Sequence, residues 1–159
     1  MALRNIVKEG DPILEKKCRP VEKFDEKLHA LLDDMAETLY ESGGVGLAGP
    51  QVGILRRLCV IDVGEGLFEF INPEIIEQRG EQERVEGCLS CPDQYGIIMR
   101  PEYVKTRYFD RFGNEQFVEG EELFAQAMCH EFDHLDGILF KTKVSRMLSK
   151  EELEGMEEE

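Results

Sequence analysis

Residues 121–137 read Glu-Glu-Leu-Phe-Ala-Gln-Ala-Met-Cys-His-Glu-Phe-Asp-His-Leu-Asp-Gly. The stretch predicts a helix from Glu121 to Asp136, closed by Gly137 at the position just past the last turn. In such a helix His130 and His134 are four residues apart and share a face. Leu123, Ala127, His130 and His134 follow an i, i+4, i+7, i+11 stripe, so both imidazoles are expected to point with the apolar face towards the core. Two neutral imidazoles at this spacing can hold one divalent ion. Glu131 sits about a third of a turn from His130 and can reach a water on that ion without binding the ion itself. The H-E-x-x-H pattern therefore points to a metal-dependent hydrolase. Its competitor is a pair of core histidines hydrogen-bonded elsewhere.

Two histidines leave the site incomplete, and the third ligand decides its type. One protease pattern requires a further histidine at the position of Phe140, which excludes it. Downstream glutamates such as Glu151, Glu152 and Glu154 exist but lie in an acidic tail, a poor source of a rigid ligand. Cys88, beside Gly87 in a stretch of little bulk, completes a Cys-His-His set that leaves a fourth position open for water. A closed structural zinc site formed by Cys88, Cys91 and both histidines is the rival reading. If the segment is extended, Cys88 and Cys91 point to opposite faces, which speaks against that rival.

Outward from this helix, Leu28, Leu31, Leu32, Met35 and Leu39 recur at helical spacing between Phe24 and Ser42. Asp25 is the expected N-cap and Gly43-Gly44 the stop of an amphipathic N-terminal helix. His29 lies off its apolar stripe and is expected to be exposed. Residues 43–53 carry five glycines in eleven positions and cannot form a regular helix. Strands are predicted at Leu58–Ile61, at Phe68–Asn72 ended by Pro73, along a polar stretch from Ile75 to Val85, and at Tyr103–Phe109. A turn at Arg111–Asn114 leads into a short strand through Val118. Asp11-Pro12 reads as a turn. Strands clustered between two helices give an α+β class.

The 159 residues fit one domain, 1–159, with no internal repeat or linker and a short acidic tail from about residue 149. Six of the last nine residues are Glu, read as a solvated helix end or frayed terminus. A net charge of −15, from 34 acidic and 19 basic residues, disfavours DNA or tight RNA binding. No apolar run approaches the roughly 20 residues that span a bilayer, and Met1–Asn5 lacks a signal-peptide stretch. A cytoplasmic protein without membrane partners is expected. Five cysteines, an odd number, fit reduced thiols rather than a disulfide framework.

Three segments together resemble the signature motifs of bacterial-type peptide deformylases, in that family's order and spacing. They are Gly44-Val-Gly-Leu-Ala-Gly-Pro-Gln51, Glu86-Gly-Cys-Leu-Ser90 and His130-Glu-Phe-Asp-His134. Ile71-Asn72-Pro73, Arg100-Pro101 and residues 135–140 extend the likeness, which runs from about Ile6 to Val144. Two positions depart from the pattern: Gly49 stands where the family usually has alanine, and Cys129 where it often has glutamine.

The resemblance implies antiparallel sheets packed around a central metal-binding helix. It implies hydrolysis of the N-formyl group from formylmethionyl nascent peptides, with transient proximity to the ribosome. One divalent metal ion is implied, characteristically Fe2+, with Zn2+, Ni2+ or Co2+ able to occupy the same ligands. Cys88, His130 and His134 would hold it, and Glu131 would act as general base. Gln51 and the backbone N–H of Leu89 would stabilise the oxyanion. Backbone groups of Val45, Gly46 and Gly87 are expected to pair with the peptide, and Val45 and Ala127 to line a methionine pocket. Glu86 and Arg100 are expected to form a structural ion pair beside the site. An internal peptidase and a metal-stabilised binding module are the competing functions.

Overall fold

The protein is described from a computed structural model over residues 2–157. Alternation along one short strand explains how the layers stack. Strand β2, Leu58–Ile61, is buried on both faces. Leu58 and Val60 pack with Leu28, Leu31, Leu32, Met35 and Leu39 of helix α1, Glu26–Ser42. Cys59 and Ile61 point the other way, into a cluster with Phe124, Ala125, Met128, Phe132 and Leu135 of helix α2, Glu122–Leu135. The two helices thus cover opposite faces of one sheet.

That sheet has five antiparallel strands in the order β1-β2-β3-β6-β7. The remaining strands are β1 (Gly46–Ala48), β3 (Phe68–Arg79), β6 (Tyr103–Phe109) and β7 (Glu115–Glu121). A second antiparallel sheet, β4-β5-β8, joins β4 (Gln82–Cys88), β5 (Cys91–Arg100) and β8 (Arg146–Met147). Side chains on β4 and β5 reach α2 from the side away from the large sheet, so α2 lies between the two sheets.

Capping follows the sequence closely at α1. The Asp25 side chain accepts from the Leu28 N–H, and Gly43 ends the helix in the left-handed region at φ 76°. Gly137 ends α2 in the same way, with φ 75°. The chain closes with helix α3, Lys150–Glu157, whose first turn is locked by a reciprocal pair. Glu152 N–H donates to Ser149 Oγ, and Ser149 N–H donates to Glu152 Oε1, each at 3.1 Å. The part of the acidic tail up to residue 157 is therefore helical; Glu158 and Glu159 lie outside the described residues, as does Met1.

Several expectations are corrected. Pro73 does not end a strand: β3 runs through it. Asn72 takes a left-handed φ of 49°, and its side chain bonds both backbone groups of Val21. Pro73 falls in the pairing irregularity between Ile71 and Glu74, where its missing N–H breaks no ladder bond. The polar stretch 75–85 is split at Gly80, φ 69°, where the chain leaves the large sheet for the small one. Strand β5 escapes sequence reading because Pro92, Asp93 and Gln94 bulge out of its pairing with β4. His29 is half-buried, with Nε2 2.7 Å from the Arg111 carbonyl. Among the described residues, no helix is long and apolar enough to cross a membrane.

Candidate active site

The stripe Leu123–Ala127–His130 lines a cavity of about 500 Å³ at the margin of the core: Ala127 packs in the core cluster and His130 is buried, whereas Leu123 remains 38% exposed. The core face of α2 is the neighbouring one, carried by Phe124, Met128, Phe132 and Leu135. Strands β1 and β4 border the same cavity, and each is an edge strand of its sheet. Val45, Gly46, Glu86, Gly87, Cys88, Leu89, Ala127, His130 and Glu131 all line it. Gln51, His134 and Arg100 sit behind that lining, buried.

Cys88, His130 and His134 converge, each offering a ligand atom within 4.8 Å of the others. Cys88 Sγ is 3.3 Å from His134 Nε2. His130 Nδ1 lies 2.7 Å from Glu86 Oε2, a carboxylate that can only accept, so Nδ1 carries the proton and Nε2 is left with its lone pair. Glu86 is itself clamped: Arg100 Nε donates to Oε1 at 3.1 Å and Gln126 Nε2 donates to Oε1 at 3.2 Å. Arg100 also reaches Asp133 Oδ2 at 2.8 Å. Glu86 and Arg100 thus form the ion pair, within a buried network around His130.

The electrostatics favour a cation among these donors. Burial drives His134 down to about 3, with the nearby His130 adding to the effect, so its imidazole is neutral at neutral pH and able to offer a lone pair. His130 is raised: burial opposes its charge, but the Glu131 and Glu86 carboxylates outweigh burial. Glu86 is also opposed by burial, yet hydrogen bonds from His130 and Arg100 hold it near 2. The Cys88 thiol is pushed up by its hydrogen bond with Cys91 and then by burial, so only an added positive charge would hold it as thiolate. His134 Nδ1 and Glu131 Oε1 are buried without partners among the described residues. These donors fit a divalent ion bound by sulfur and two imidazoles.

Glu131 lies beside the donors without belonging to them, its Oε2 3.9 Å from His130 Nε2. Burial lifts its carboxyl to about 7. Gly46 makes room for it, since a Cβ there would lie 2.5 Å from Glu131 Oε2. Gln51 is held by Ala48, whose N–H donates to its Oε1 at 2.9 Å. Its Nε2 then points at Cys88 Sγ, 3.4 Å away, and at Ser90 Oγ, 3.2 Å away. Leu89 opens the two-residue turn that follows Cys88.

That turn corrects the geometric argument about Cys91. Cys88 and Cys91 are direct cross-strand partners flanking Leu89-Ser90, so they share a face of the hairpin rather than opposing ones. Cys91 nevertheless stays outside the three-donor group, its Sγ directed to Glu9 Oε2 at 3.7 Å. Gln126 and Asp133 had not been singled out from the sequence. Gln126 lies one turn before His130 on the same helix face, so helical spacing alone could have flagged it.

The chain matches the polypeptide deformylase family over residues 3–150. It is 58% identical over 158 residues to a peptide deformylase of Caldanaerobacter subterraneus subsp. tengcongensis, covering 99% of both chains. The crystal structure of peptide deformylase from Thermotoga maritima superposes with a TM-score of 0.89 at 43% identity, over 91% of this chain and 99% of that one. A peptide deformylase from Legionella pneumophila gives 0.87 at 39% identity, over 98% and 96%.

Proposed function

Because this chain belongs to the peptide deformylase family, and so hydrolyses the N-formyl group from newly made polypeptides, we propose that Cys88, His130 and His134 hold its metal and Glu131 is its general base. The observation that carries this reading is the convergence of one sulfur and two imidazoles within 4.8 Å, next to a carboxyl that burial has raised to about 7.

A divalent ion held by these donors would supply Lewis-acid chemistry and ease deprotonation of a water at neutral pH. Ferrous ion is the proposed native metal; zinc, nickel and cobalt suit the same donors. Glu131 takes the proton of the attacking water and then passes it to the leaving amine. Negative charge growing on the formyl oxygen is met by the Gln51 side-chain amide and the Leu89 N–H. Glu86, fixed by Arg100, orients His130 throughout.

The peptide lies between the β1 and β4 edges, pairing with backbone groups of Val45, Gly46 and Gly87. Open strand edges on both walls of the cavity support that placement. Val45 and Ala127 line the methionine pocket. The chain works as one catalytic domain, residues 1–159, in the cytoplasm. It meets nascent chains through brief contacts near the ribosome, because the Glu-rich tail repels RNA.

The test is formate release under anaerobic conditions with a ferrous, zinc, nickel and cobalt series. A formylmethionyl peptide and its unformylated counterpart serve as substrates. Formate from the first and no cleavage of the second are expected. Backbone cleavage of either peptide would overturn the reading.

A further inference from the structure

Cys91 has no role in the reaction, yet it is fully buried against the sulfur proposed to hold the metal. Cys91, Ile98 and Phe140 form a small buried cluster, and the half-buried Cys88 packs onto it. The other three cysteines belong to the separate core cluster beneath α2. Cys88 and Cys91 are direct partners across the two-residue turn. Antiparallel partners have Cα atoms about 4.5–5.5 Å apart. Disulfides need about 4.4–6.8 Å. Pairing across the turn therefore brings the two backbones to about the separation that a disulfide spans.

Access differs between the two thiols. Cys88 lines the open cavity, whereas Cys91 has no exposed surface. An oxidant entering the cavity meets Cys88 first, and Cys91 is reached only through it. Cys91 also has a proton acceptor, with Glu9 Oε2 3.7 Å from its Sγ and Lys141 Nζ 2.8 Å from the same oxygen.

We propose that Cys88 and Cys91 are a modification site for hydroperoxides, closing to a disulfide that withdraws Cys88 from the metal. The proposal rests on Cys88 being a metal ligand only for its second half. In the first step Cys88 sulfur attacks the peroxide; the O–O bond breaks, a sulfenic acid forms, and the displaced oxygen leaves as water or an alcohol. In the second, Cys91 sulfur attacks Cys88 sulfur; the S–S bond forms, the S–O bond breaks, and the hydroxyl leaves as water with the Cys91 proton. Two thiols are oxidised by two electrons in all, and one peroxide is reduced. Without a neighbouring thiol the sulfenic acid would proceed to irreversible sulfinic and sulfonic acids.

The experiment treats the ferrous- or zinc-loaded full chain with hydrogen peroxide, then maps peptides by mass and measures bound metal. A Cys88–Cys91 disulfide is expected, with loss of most of the bound metal. Thiol reductant plus metal should restore both metal content and formate release. Cys91→Ser should bind metal normally beforehand, but after peroxide should carry two or three oxygens on Cys88 and resist reductant. Oxygenated Cys88 beside free Cys91 thiol in the wild type would overturn the proposal. So would equal recovery of Cys91→Ser. A disulfide formed with metal fully retained would leave the modification standing and refute Cys88 as a ligand.

Discussion

His130 Nδ1 and Glu86 Oε2 lie 2.7 Å apart in the buried interior, and this contact decides which imidazole nitrogen faces the cavity. A ring held this way cannot rotate its lone pair away from Cys88 and His134. Glu86→Ala should therefore weaken metal binding by about 10–100-fold while leaving the three proposed donor side chains in place. Competition against a graded chelator measures it. Unchanged affinity would mean that packing alone orients His130.

Arg100 neutralises Glu86 and also binds Asp133, with both members of the Glu86 pair 4% exposed. Arg100→Met leaves a buried carboxylate without its guanidinium partner and should cost about 3–5 kcal/mol in urea unfolding at neutral pH. The pH dependence has a definite sign. Glu86 is lowered from 4.5 to about 2, so its contribution is complete above the unfolded value and is lost as pH falls through that window. The gap between wild type and Arg100→Met should shrink on acidification from about pH 5 to about pH 2.5. A gap that widened would reverse the assignment.

The two helices and the site motifs were legible in the sequence because each is written in local spacing. Asp25, Gly43 and Gly137 mark helix ends through backbone geometry that few other residues satisfy as well. His130, Glu131 and His134 carry their mutual placement in the helical repeat. What escaped was non-local. Strand β5 contains Pro92 and Gly96, which argue against a strand until the three-residue bulge opposite β4 is seen. Asn72-Pro73 looks like a terminator until the Asn72 side chain is found bonding Val21, 51 residues away. The turn that brings Cys91 beside Cys88 reverses the extended-strand argument, since two residues between strands put flanking side chains on one face. Ser149-x-x-Glu152 is the exception, a local capping-box spacing left unread among the glutamates of the tail.

Glu131 and Gly46 should fail together. Glu131→Gln keeps the shape but cannot accept the water proton, so kcat should fall by about 10²–10⁴-fold with metal content unchanged. Gly46→Ala should approach the same loss by a different route, because the new methyl group would sit 2.5 Å from Glu131 Oε2 and must displace it. Metal analysis and formate release, measured on both variants, test the pair. Near-normal turnover in Gly46→Ala would show that the Glu131 carboxyl can work from another position.

Gln51 gives the sharpest test of charge stabilisation, because its two ends have separable tasks. Oε1 anchors the side chain to the Ala48 N–H, and Nε2 points at the sulfur of Cys88. Gln51→Glu preserves the anchoring oxygen and replaces the donor, whereas Gln51→Ala removes both. If the donor serves the developing oxyanion, the two variants should lose a similar factor, about 10²–10³ in kcat, with KM little changed. If Gln51 only props the loop from Gly44 to Val52, Gln51→Glu should retain most activity and Gln51→Ala should lose stability as well as turnover. Steady-state kinetics combined with thermal unfolding separates these outcomes, since a missing transition-state donor lowers kcat without moving the melting temperature.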